Sequence, residues 1–274
     1  MKQPAIFIPH GGGPCFFLNS DFSCPPEWMG LRDYLAGLIA SLPERPRAIL
    51  LISAHWIEPR FTVHSGDHPG LLFDYYGFPE HTYSLRWDAP GAPDLAHRAA
   101  DLLRDAGFDT GKENERGWDH GVFVPMKVAL PDADIPVAQL SLARSASGNG
   151  DFDAALHIRA GQALAPLRDE GVLILGSGYS FHNLRLLGAP VGDVTEEFDR
   201  ALADVATDAD PKRRADRLAD WARLPHARTA HPPRGREDHL IPLMVVAGAG
   251  SDDTGVQDYS KDTAGWTVSA FRYG

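Results

Sequence analysis

Three histidines follow short apolar runs. Ala5-Ile-Phe-Ile-Pro-His10 leads into Gly-Gly-Gly-Pro14, Ala48-Ile-Leu-Leu-Ile-Ser-Ala-His55 leads into Trp56, and Val172-Leu-Ile-Leu175 passes through Gly-Ser-Gly-Tyr-Ser-Phe to His182-Asn183. A neutral imidazole is a common ligand for iron and zinc, so histidines brought to one point make a metal site. His10 sits between Pro9 and three glycines, a setting that lets backbone approach a bound group and frees the ring from packing partners. No Lys-Ser/Thr follows those glycines, and their spacing fits neither the P-loop nor the dinucleotide fingerprint.

His239, in Glu237-Asp238-His239-Leu-Ile-Pro242, is the next candidate ligand, and Glu237 and Asp238 offer a carboxylate from the same turn. Two histidines with one carboxylate suit a non-heme iron oxygenase, whereas three histidines also suit zinc with an open water position. The residues alone leave both open. His120, in Gly117-Trp-Asp-His120-Gly121, and His182 sit in glycine-rich loops beside Trp118, Tyr179 and Phe181. Both are candidate acids or bases, because imidazole changes protonation near neutral pH. Of the twelve histidines, His64, His68, His97 and His157 lack such a context and read as solvated. Cys15 reads as a small buried apolar residue rather than a ligand.

The elements that must position these groups follow from the pattern. Apolar runs bounded by glycine read as buried parallel strands, at 5–8, 47–53, 135–142 and 172–175, with further strands near 61–64 and 266–273. Helices are expected at 28–41, 92–106, 151–169 and over 195–222, where mixed charges suggest a solvated face, and a buried apolar helix starts near His239 with Pro242 in its first turn. The fold class is therefore α/β: one domain, 1–274, with a central, mostly parallel or mixed sheet flanked by helices. In such sheets ligands collect beyond the carboxyl ends of the strands, which places the metal site at that rim. The stretch 68–93 is too long for an idle loop, and Phe73, Tyr75, Tyr76, Phe78, Tyr83 and Trp87 make it a wall or lid over the site.

Composition excludes several classes. With 43% hydrophobic and 23% charged residues the chain is an ordinary globular one, so disordered and fibrous classes fall away. A formal charge of −11 would repel phosphate backbones and anionic membrane surfaces, which argues against nucleic-acid and membrane partners. No apolar run approaches the roughly 20 residues that span a bilayer, no leader is evident, and two cysteines do not make a disulfide framework. A cytoplasmic protein is expected.

Taken together, Ile8-Pro-His10-Gly-Gly-Gly-Pro14, Ser53-Ala-His55-Trp56, Asp74-Tyr-Tyr-Gly-Phe-Pro79, Gly117-Trp-Asp-His120-Gly121, Pro131-Asp-Ala-Asp-Ile-Pro-Val137, Ser177-Gly-Tyr-Ser-Phe-His-Asn183 and Glu237-Asp-His-Leu-Ile-Pro242 resemble the class III extradiol ring-cleavage dioxygenases, nearest the 4,5-DOPA dioxygenase branch. The resemblance runs in order from residue 5 to about 250. It implies an iron(II) enzyme that cleaves a DOPA-like catechol with dioxygen. His10, His55 and His239 would bind the metal, His182 would be the base and stand close enough to be a fourth ligand, and His120 would face oxygen or substrate. Zinc would compete for the nitrogen site in the purified protein. The chain departs from the branch pattern where Asp238 replaces a glutamate and where Gly11-Gly-Gly13 replaces Gly-Ser-Pro, positions that bear on substrate rather than on ligands. Arg116, Arg228 and Arg234 are candidates for pairing with a substrate carboxylate. The alternatives are a zinc-dependent hydrolase and a catechol- or metal-binding protein without turnover; a homodimer is compatible with each.

Overall fold

Four apolar segments account for the centre of the fold. β1 (Ala5–Pro9), β2 (Ala48–Glu58), β5 (Val137–Ala143) and β6 (Val172–Gly178) are parallel neighbours in the order β5-β2-β6-β1, and β1, β5 and β6 are buried along their whole length. Strands covered on both faces need no polar alternation, which is why they read as continuous Val/Ile/Leu runs. The computed structural model describes residues 1–145, 151–233 and 235–274. Among these the sheet has eight strands, completed by β3 (Phe61–His64), β4 (Thr110–Glu113), β7 (Gly255–Thr263) and β8 (Trp266–Tyr273) in the order β4-β3-β5-β2-β6-β1-β8-β7. β3 pairs antiparallel with β5 and β8 antiparallel with β1, so the sheet is mixed at its flanks and parallel at its heart.

The helices are α1 (Met29–Ala36), α2 (Pro93–Asp105), α3 (His120–Ala129), α4 (Ala154–Leu164), α5 (Pro166–Asp169), α6 (Val194–Ala206), α7 (Pro211–Ala219), α8 (Ala227–Ala230) and α9 (Ile241–Ala249). Three expected helices are shorter or divided for local reasons. α1 stops at Gly37, short of residue 41, and a separate turn of 3-10 helix follows at Ile39–Ser41. Pro166 lacks an N–H for the Gln162 carbonyl, which separates α4 from α5, and Pro211 starts α7 afresh after α6. His120 is the first residue of α3 rather than part of a loop, and α3 carries Pro125 inside it.

The segment 195–222 is not merely solvated. Asp199 and Arg214 are buried, and Arg214 donates to the carbonyls of Gly250 and Ser251, 3.2 and 2.8 Å away, at the end of α9. Buried Arg168 donates to the Ala249 carbonyl at 2.8 Å. Two guanidiniums thus satisfy terminal carbonyls of a helix buried along its whole length and complement its dipole. α4 crosses α9 backbone to backbone: a Cβ on Gly161 would stand 2.0 Å from the Val245 carbonyl oxygen, and one on Gly248 2.0 Å from that of Ile158. Held at its far end and along its side, α9 fixes the turn before it, which carries His239.

Two of the histidines read as solvated are in the core. His157 is fully buried on α4, where Nδ1 donates to the Asp153 carbonyl at 2.7 Å and Nε2 accepts the Ala143 N–H at 3.2 Å. His64 is buried on β3 against Trp118, with ring centroids 5.2 Å apart. His68 and His97 are exposed as expected. Cys15 is buried and Cys24 half-buried, both as free thiols. Among the described residues no helix is long and apolar enough to cross a membrane.

Candidate metal centre

The parallel strands bring the histidines to one rim. β1 ends at Pro9, and His10 follows directly, its backbone N–H bonded to the Gly178 carbonyl at 3.0 Å. β2 runs further than 53, and its pairing with β5 is irregular there. Ile52 pairs with Leu140 and Ile57 with Leu142, so the four residues between them on β2 stand opposite one on β5, an excess of three. The bulge carries Ser53, Ala54, His55 and Trp56 and re-aims His55 over the sheet edge. β6 likewise extends through Gly178, two residues before Ser180 and four before His182. His239 reaches the rim because β6 has no side chain in its way: a Cβ on Gly178 would lie 2.0 Å from the His239 carbonyl oxygen, which instead accepts the Tyr179 N–H at 2.9 Å.

Five imidazoles meet there. The Nε2 atoms of His10 and His55 face each other at 3.1 Å. Two nitrogens sharing one ion at ~2.1 Å stand about 3 Å apart, so this spacing fits a common metal. The His239 ring centroid is 5.2 Å from that of His10 and 4.8 Å from that of His55. His120 lies 3.9 Å from His55, and His182 stacks flat on His239 at 3.5 Å with an interplanar angle of 11°. By ligand-atom proximity His10, His55 and His120 form one group and His182, Asp238 and His239 another, with atoms of each group within 4.8 Å of one another. The two groups adjoin through the three rings of His10, His55 and His239.

In three of the five rings, His10, His239 and His120, the inward nitrogen is prepared by a partner on the other side of the ring. The Ser177 hydroxyl donates to the Gly121 carbonyl and lies 3.3 Å from His10 Nδ1, which can then only donate to it. Asp238 Oδ1 accepts from His239 Nδ1 at 2.8 Å, and Asp74 Oδ1 accepts from His120 Nδ1 at 2.8 Å and from the His120 N–H at 2.9 Å. Such partners fix the tautomer that turns a lone pair toward a metal. The backbone beneath His55 is tied by Ser53, whose hydroxyl accepts the His55 N–H at 3.1 Å and donates to buried Asp119 at 2.6 Å. Asp119 also accepts from Gln139 at 2.7 Å and from Arg116 at 3.1 Å.

Burial, then repulsion from neighbouring imidazoles, His55 first for His10 and His182 first for His239, holds His10 and His239 well below the usual imidazole value. Burial first, then the neighbouring His120, brings His55 down to about 3, and burial brings His182 to about 4. Burial raises the Asp238 carboxyl. Neutral imidazoles with fixed tautomers are what a divalent cation needs, and the donor set suits iron(II) or zinc.

The rings form the floor of a cavity of about 550 Å³, within the size range of ligand sites. Its walls include Trp28, Tyr75, Tyr76, Phe78 and Trp266. The stretch 68–93 is therefore partly a wall, while its Leu85 and Trp87 pack into the core and Asp74 orients His120. Arg116 and Arg228 do not line the cavity: Arg116 is bonded to Asp119 and the His55 carbonyl, and Arg228 to Glu237 at 2.8 Å. Arg234 lies outside the described residues. Ser177, Asp74 and Trp266 went without a role in the sequence reading. The first two fall inside motifs already noted; the signal for Ser177 was its polar side chain at the end of the strand that leads to His182, and Asp74 had only its place in a motif.

A mixed α/β sheet whose parallel strand ends gather five imidazoles beneath an apolar cavity defines a protein built around a candidate metal centre. The model of the catalytic LigB subunit of aromatic ring-opening dioxygenase matches residues 27–271. A dioxygenase, tasH, from Hapsidospora irregularis is 37% identical over 99% of this chain and 85% of its own length. A protein named 4,5-DOPA dioxygenase extradiol from Beta vulgaris is 37% identical over 77% of this chain and 76% of its own. The crystal structure of an uncharacterized Escherichia coli K12 protein, JW3007, superposes with a TM-score of 0.75 at 27% identity, covering 99% of this chain and all of the other. The chain belongs to the LigB family of aromatic ring-opening dioxygenases, and is a ring-cleaving dioxygenase.

Proposed function

We propose that this dioxygenase opens a catechol-type ring beside its diol, using iron(II) held by His10, His55 and His239. The observation that carries the reading is the convergence of three neutral imidazoles, two of them with tautomers set by Ser177 and Asp238, on the floor of a cavity walled by aromatic rings. Iron(II), when bound, supplies Lewis acidity toward the catechol oxygens and electron transfer between ring and dioxygen. His182 accepts the phenolic proton on a ring nitrogen: with its pKa brought down to about 4 it is unprotonated at neutral pH and free to do so. Its stacking on His239 holds it beside the metal position, where it serves as base and is close enough to be a fourth ligand. Asp74 accepts from His120 Nδ1 and turns Nε2 to the cavity, where a His120 ring carrying protons on both nitrogens donates to the charge that develops on the reacting oxygens. Tyr75, Tyr76 and Phe78 exclude water from the reacting ring. Two free thiols and a net charge of −11 support a reducing, cytoplasmic setting and a small-molecule substrate.

The test is oxygen uptake after anaerobic reconstitution with iron(II), over a panel of catechols that includes L-DOPA because relatives bear its name. Uptake coupled to a new yellow chromophore, and lost in His182→Ala, is the expected result. A folded, metal-loaded protein that consumes no oxygen with any catechol overturns the reading.

A further inference from the structure

The cavity extends well beyond the histidine floor, and the rest of its wall is mainly apolar, with the hydroxyl-bearing Tyr75, Tyr76, Tyr179 and Thr263 as its polar members. Leu18, Trp28, Phe78, Leu184, Leu187 and Trp266 enclose the space a ring substituent would occupy. Leu184 and Leu187 leave 66% and 63% of their surface exposed at its mouth, an unusual placement for two leucines three residues apart unless an apolar ligand covers them. Among the described residues lining the cavity none is Lys, Arg, Asp or Glu. Arg116 and Arg228 are already paired, and Arg185, on the same 3-10 turn as Leu184, is exposed and does not line the cavity. Asp74 and Asp238 lie directly behind the imidazoles, so a second anionic group in the cavity would meet carboxylates rather than a cation.

We infer that the preferred substrate is a catechol whose ring carries a neutral, apolar substituent, and not a carboxylate-bearing or amino-acid side chain. The inference rests on the ring-cleavage reading and narrows its substrate class. A carboxylate placed in this wall loses water without gaining a cationic partner, a penalty of about tenfold or more in affinity. An alkyl chain gains by covering Leu184, Leu187 and the two indoles.

The experiment compares a propyl-substituted catechol with its carboxyethyl counterpart and with L-DOPA. Binding is read first in the zinc-loaded protein, which cannot turn over, from quenching of tryptophan fluorescence. The propyl compound is expected to bind at least tenfold more tightly than either anionic or zwitterionic one, and Leu187→Arg, at an exposed position, to narrow the ratio to the carboxyethyl compound by about fivefold. Equal or tighter binding of the carboxylate, no binding of any of the three, or a ratio that Leu187→Arg leaves unchanged overturns the inference. Oxygen uptake by the iron-loaded protein is measured separately. Tight binding of the propyl compound without uptake sinks the ring-cleavage reading while the ligand class stands, and uptake with the opposite ranking sinks the ligand class alone.

Discussion

The Ser177 hydroxyl, at the end of β6, donates to the carbonyl of Gly121 in the first turn of α3. That carbonyl is free because the residue four positions on is Pro125, which has no N–H to offer it. With its proton committed to Gly121, Ser177 can only accept from His10 Nδ1, and the His10 Nε2 lone pair is left facing His55. A proline inside a helix thereby sets the tautomer of a histidine on another strand.

Ser177→Ala removes that control while leaving the histidines in place. Loss of such a partner costs about 10–100-fold in metal affinity. Titration of the variant with zinc against a competing chelator should show this weakening with an unchanged far-UV spectrum. An affinity equal to that of the unmodified protein would mean that the Ser177 contact has no part in metal binding.

Gly178→Ala tests how His239 is placed. The added methyl would stand 2.0 Å from the His239 carbonyl oxygen, which is backbone and cannot swing aside, and 3.0 Å from the Phe7 ring. Overpacking of this kind costs about 1–3 kcal/mol, and here the relief available is an outward shift of the His239 turn. The expected outcome is a lower Tm together with substoichiometric metal after reconstitution. A variant that is destabilised yet binds one metal at full affinity would show that the His239 turn does not depend on this contact.

The parts of the molecule written in apolar periodicity were legible in the sequence: the four central strands, the buried helix after His239, and the convergence of His10, His55, His182 and His239 at one rim. What escaped was set by contacts distant in sequence. β7 alternates weakly because most of its residues are half-exposed or exposed, and β4 is a short edge strand of polar residues. His157 looked solvated because its two partners, the Asp153 carbonyl and the Ala143 N–H, are backbone atoms without a sequence signature. Arg214 looked like one charge among many in a charged helix, and only the docking of α9 gives it carbonyls to cap. Two of the three arginine candidates for the substrate failed for the same reason, since Asp119 and Glu237 claim Arg116 and Arg228 first.

His239→Ala and His182→Ala separate ligand from base. Removing one of three ligands should abolish stoichiometric metal binding. Removing a base stacked beside the site should leave one metal per chain and lower kcat by about 10²–10⁴-fold. Metal content by elemental analysis after desalting, paired with oxygen-uptake rates, gives the two readouts. Loss of metal from His182→Ala to the same degree as from His239→Ala would make His182 an obligatory ligand and remove it from the role of free base.

His157 gives the fold a defined acid sensitivity that does not involve the metal. Burial brings its pKa from 6.5 down to about 4, and the neutral form with a proton on Nδ1 satisfies both of its backbone partners, whereas a second proton on Nε2 would face the Ala143 N–H. The unfolded chain therefore binds one more proton than the folded one between pH 4 and 6.5, so stability is complete above the unfolded value and falls as pH drops toward 4. Over that window the loss traceable to this residue is roughly 3 kcal/mol. Urea unfolding of the metal-free protein at pH 7, 6, 5 and 4.5, beside His157→Gln, should show the variant's stability falling less steeply with acid, by close to one proton's worth of slope. Parallel pH dependences for the two proteins would mean that His157 is not buried in its neutral form.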